Sequence, residues 1–84
     1  MKLARTIAQL EKQLKKDRKA VANGNQIEGM FGLKACMDSV KYEMNLTHKT
    51  VEQVYAEQVS HCLLYAFHNT MMVVACEKLM EEGK

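Results

Sequence analysis

HCLLYAFHNTMMVVAC, residues 61–76, contains no charged side chain, and the run free of charge extends from Glu57 to Glu77. A stretch of this kind can cross a membrane, line a buried catalytic or metal site, or present a surface to another chain. Its length approaches the roughly 20 residues that a spanning helix needs. It is interrupted, however, by Gln58, Ser60, His61, His68, Asn69 and Thr70. These groups are costly in hydrocarbon, so a membrane span is not expected.

The rest of the chain favours helix around this stretch. It has 84 residues, no proline, four glycines and seven methionines, and it is rich in Ala, Leu, Glu, Gln and Lys, all good helix formers. An all-α single domain over residues 1–84 follows. A chain of this size buries only about 60–65% of its unfolded surface and is marginal alone. It needs a staple, a partner or very good packing.

The N-terminal segment places Leu3, Ile7, Leu10, Leu14 and Val21 at heptad steps, with Asp17 filling one slot; a first helix is expected over about 2–22. Asn23-Gly24-Asn25 then reads as a helix stop followed by a start, with Gly24 free to turn left-handed and Asn25 and Glu28 spaced as a capping box. A second helix is expected over about 26–44, carrying Ile27, Met30, Leu33, Met37, Val40 and Met44. The short turn predicts an antiparallel helical hairpin. Thr47 or Thr50 can cap a third helix, with Gln53 three residues on favouring Thr50, and nothing stops that helix before Gly83. A continuous helix over about 50–82 would be about 45–50 Å long, with a bend, if it has one, at His68-Asn69-Thr70, where propensity is lowest.

Projected at 100° per residue, this long helix has two apolar faces. Val51, Val54, Tyr55, Val59, Cys62, Tyr65, Ala66, Met72, Val73, Cys76 and Met80 can cover the hairpin, whereas Leu63, Leu64, Phe67, Met71 and Val74 lie roughly opposite. One small chain has no material left for the second face, so the expectation is a helical bundle completed by homo-oligomerisation, most simply a two-fold dimer.

Several constellations bear on chemistry. Glu57, His61 and His68 share a side of the helix and are candidate metal ligands, although neither H-E-x-x-H nor the Glu-x-x-His of di-iron bundles is present. Solvated or hydrogen-bonded side chains are the simpler reading. Cys36, Cys62 and Cys76 are odd in number and widely spaced, which fits free thiols in a reducing compartment and a cytoplasmic protein. The N-terminal segment lacks the uninterrupted apolar core of a signal peptide. No phosphate loop, dinucleotide fingerprint or nucleophile elbow occurs, and no cofactor is expected.

Charge is uneven. Arg5, Lys12, Lys15, Lys16 and Lys19 lie away from the apolar stripe of the first helix, and only Glu11 and Asp17 offset the basic residues of that segment. Such a face can attract phosphates or an acidic partner. Together these features point to a non-enzymatic helical homo-oligomer that binds and modulates another macromolecule, an inhibitor or adaptor of the size and class found in phages and mobile elements. The alternative is an anion-binding module that uses the basic first helix for nucleic acid or a phosphate-bearing small ligand.

Overall fold

A computed structural model describes residues 2–24 and 31–83, in which four helices are arranged in the order α1 (Ile7–Ala22), α2 (Leu33–Thr47), α3 (Val51–Leu64) and α4 (Met71–Glu82). The described residues contain no strand. The expected cap at Asn25 and Glu28, and the apolar positions Ile27 and Met30, lie outside them.

Thr6 starts α1 five residues later than expected. Its hydroxyl accepts from Gln9 N at 3.1 Å while Gln9 Oε1 accepts from Thr6 N at 2.8 Å, a capping box that satisfies two otherwise orphaned amides. Thr50 and Gln53 repeat this device at the start of α3. Gly24 takes φ +74° just after α1, as a left-handed helix stop requires. The second helix starts at Leu33, after a turn at Phe31 and Gly32, and ends in His48, which holds φ 57° without being glycine.

Two expectations are corrected here. The continuous helix over 50–82 is two helices, α3 and α4, separated by residues 65–70. The molecule accordingly spans 32 × 32 × 25 Å, well short of the rod that an unbroken helix would impose. Moreover, α1 and α2 are not a packed hairpin. Each packs on α4, which touches all three other helices, and α1 and α2 have little contact with each other.

The core explains this order. Leu10 and Leu14 of α1, Cys36 and Val40 of α2, and Val54 and Cys62 of α3 converge on Met71, Val73, Val74, Ala75 and Cys76 of α4. Four consecutive buried positions, 73–76, cover more than one helical stripe, so the first half of α4 is buried on nearly every side. Folding back at 65–70 brings that apolar segment inside the chain. A straight helix would leave half of it in water, at a cost of about 1.5–3 kcal/mol for each large side chain. Met71 and Val74, expected at an interface between copies, are 3% and 1% exposed within one chain. The two-face projection failed for them because the break resets the helical phase.

Candidate functional site

The segment that joins α3 to α4 is a corner held from every side. Leu63 O, at the end of α3, accepts from Ala4 N at 3.0 Å and Arg5 N at 3.2 Å, so the segment before α1 acts as a strap over the helix end. The Arg5 guanidinium donates to Ala66 O. His68 Nε2 donates to Oε1 of buried Gln58 at 2.6 Å. Asn69 Nδ2 donates to Cys36 Sγ at 3.5 Å, and its Oδ1 accepts from Met71 N at 3.0 Å. Thr70, 7% exposed, donates its hydroxyl to Asp17. The strap and all three neighbouring helices therefore contribute an anchor, and the carbonyls freed by the break find donors.

On the outside of this corner are rings. Tyr65 and Phe67 are 5.9 Å apart between centroids, and His61 is 5.2 Å from His68 and 6.2 Å from Tyr65. Phe67 is 88% exposed and Tyr65 49%, and Leu3 of the strap and Ile7 of the first turn of α1 are exposed as well. Of the expected interface residues, Leu63 and Leu64 are half-buried and Phe67 is open to solvent; Met71 and Val74 are withdrawn into the core. Tyr65, expected to cover the hairpin, is exposed instead, as are Leu3 and Ile7 of the expected first-helix stripe. The sequence signal for this was Thr6-x-x-Gln9, which starts α1 late and releases the strap.

The three candidate metal ligands are not brought together. Glu57 Oε1 takes Lys49 Nζ at 2.6 Å, and His68 commits Nε2 to Gln58, leaving only the rings of His61 and His68 in edge contact. Among the described residues no three His, Cys, Asp or Glu side chains are grouped to hold an ion. Burial lowers the His68 pKa, and His61 and Arg5 lower it further, so the imidazole is held neutral. Cys36, Cys62 and Cys76 are free and buried. Burial raises all three thiols, Cys76 to about 11, which holds them as unreactive thiols. A groove lined by Arg5, Gln9, Gln13, His68, Asn69 and Thr70 runs beside the corner.

The basic residues divide. Arg5 is not on the lysine face: it lies before α1 and is used on Ala66. Lys12, Lys15, Lys16 and Lys19 are all exposed along α1. No helix of the described residues is long and apolar enough to cross a membrane. Comparison of the chain with protein-family models, with curated proteins and with solved structures gives no match.

Proposed function

We propose that this chain is a non-enzymatic helical protein that self-associates through the aromatic corner and, as a homo-oligomer, binds and modulates another macromolecule as an inhibitor or adaptor. One observation carries the reading. The chain has five Phe and Tyr residues, and four of them, Phe31, Tyr42, Tyr65 and Phe67, are exposed by 49–88%, while the core is built from aliphatic side chains and thiols. Large rings normally dominate cores and interfaces; here only Tyr55 packs against the first.

The corner suits a two-fold contact. Tyr65 and Phe67 stand on a backbone clamped by five anchors, so little ordering entropy opposes their use, and aromatic residues are enriched at interaction hot spots. A patch that meets itself across a two-fold axis pairs Phe67 with the Leu3, Ile7 and Tyr65 surface of the second copy. The three unpaired thiols fit a reducing compartment, in keeping with a cytoplasmic protein.

Phe67→Glu tests this reading. Light scattering is expected to show a smaller assembly than for the unsubstituted protein, with the helical circular dichroism signal retained. A Phe67→Glu protein that keeps the assembly mass of the unsubstituted protein would refute self-association at the corner.

A further inference from the structure

We infer that the outer face of α1 binds the phosphate backbone of double-helical nucleic acid without reading its sequence. This names the macromolecule left open by the proposed function, and it stands on a different surface from the corner.

The inference begins from position. Lys12, Lys15, Lys16 and Lys19 follow i, i+3, i+4, i+7 spacing, which places all four within an arc of about 100°, opposite Leu10 and Leu14. They extend over about 10 Å of helix axis. All are exposed, and among the described residues none is in an ion pair, whereas Arg18, Lys49 and Lys78 each have a carboxylate partner.

The two carboxylates of α1 do not offset this face. Glu11 is 3.7 Å from Arg18, which also pairs through two nitrogens with Glu77 at 2.9 and 2.6 Å. Asp17 is turned inward, accepting from Thr70 and from Gln13 Nε2 at 3.2 Å. The fold thus turns Asp17 inward and pairs the exposed Glu11 with Arg18, and among the described residues no carboxylate is within ion-pair distance of the four lysines. Their combined field favours a dense polyanion.

The composition of the face selects among polyanions. The helix carries no aromatic residue. Protein interfaces are depleted in lysine and alanine and enriched in aromatic residues and arginine, so an acidic protein is the poorer match. Single strands are held by stacking on aromatic rings, which are absent here. The apolar side of α1 is committed to the core, which removes the insertion that holds amphipathic helices in a lipid surface. Lysines flanked by Gln9, Gln13 and Asn23 are the residue types that contact phosphates, and duplex DNA offers a charge for each ~1.7 Å of axis.

The test is fluorescence anisotropy with labelled DNA and RNA duplexes of arbitrary sequence as probes. Each lysine that neutralises one phosphate steepens the dependence of log affinity on log salt by about 0.9 on DNA, so four give a slope near −3.6 per chain and roughly a hundredfold loss between about 50 and 200 mM salt. Replacing Lys12 and Lys16 by Gln should flatten the slope by about 2. Replacing all four by Gln should abolish binding, and four Arg should retain it. Absence of binding to either duplex at low salt, or an unchanged slope in the four-Gln protein, would overturn the inference. Phe67→Glu separates the two readings: a variant that no longer self-associates should keep its slope per chain, whereas a variant that still self-associates while duplex binding is intact refutes only the corner.

Discussion

The two halves of one charge-free stretch have opposite fates. HCLLYAFHNT ends α3 and forms the corner, with Tyr65 and Phe67 in solvent. MMVVAC begins α4, and its residues 73–76 are at most 1% exposed. The Tyr65 and Phe67 rings of the first half are outside, although its Cys62 and Thr70 are buried. Freedom from charge therefore marks two things here, a segment that the chain wraps and a segment that it displays. What separates them is a turn in the backbone that the polar trio His68-Asn69-Thr70 makes possible by supplying side-chain partners from its own sequence.

The contrast can be broken most forcefully by placing one carboxylate on each side of the turn. Val73→Asp buries a charge without a partner, at a cost comparable to the whole stability of a small domain, about 5–15 kcal/mol. No cooperative thermal transition should remain. Phe67→Asp should change the stability of the isolated chain by less than about 0.5 kcal/mol. Similar melting losses in the two variants would show that the halves are buried alike.

The turn itself is probed through its anchors. Thr70→Val and Asp17→Ala each leave a buried or half-buried polar group without its partner and should cost about 1–3 kcal/mol in urea unfolding. Together they should cost less than the sum, because both remove one interaction. Additive losses would mean that the hydroxyl and carboxylate do not act as a pair.

The corner should also be the acid-sensitive part of the molecule. His68 has its pKa lowered by burial, then by His61 and Arg5, so the unfolded chain takes up a proton that the folded chain resists. Stability is therefore intact above the ordinary histidine value near 6.5 and declines as pH falls through it towards the lower folded value. His68→Gln should flatten the decline just below pH 6.5; an unchanged profile would remove His68 as its cause. The smallest effect concerns His48, whose left-handed φ of 57° suits glycine. His48→Gly should raise the unfolding free energy by about 0.5–1 kcal/mol.

What could be read from the sequence depended on whether the determining contact was local. Helix class, the cap at Thr50, the left-handed Gly24 and the exposed lysines follow from short-range spacing and propensity. The break between α3 and α4 does not. Tyr65, Ala66 and Phe67 include no strong helix breaker, and the turn is stabilised by Asp17, Cys36, Gln58 and Arg5, which lie 10 to 61 positions from the residues they hold. Asp17 in particular interrupts an apolar stripe and reads as a blemish until Thr70 is placed beside it. Even so, one local signal was legible at the N-terminus. Thr6 and Gln9 have the same spacing as Thr50 and Gln53, and they leave Leu3, Ala4 and Arg5 outside the helix.

Whether α4 is buried by its own chain or by a second copy decides the account. Amide hydrogen exchange in the Phe67→Glu protein, at concentrations where light scattering shows single chains, measures this directly. The predicted result is that amides in the interior of α4 exchange only through global unfolding, as slowly as those of Val54 and Cys62 in α3. Rapid exchange across 73–78 in a chain that otherwise stays folded would contradict it, and would return Met71 and Val74 to an interface between subunits.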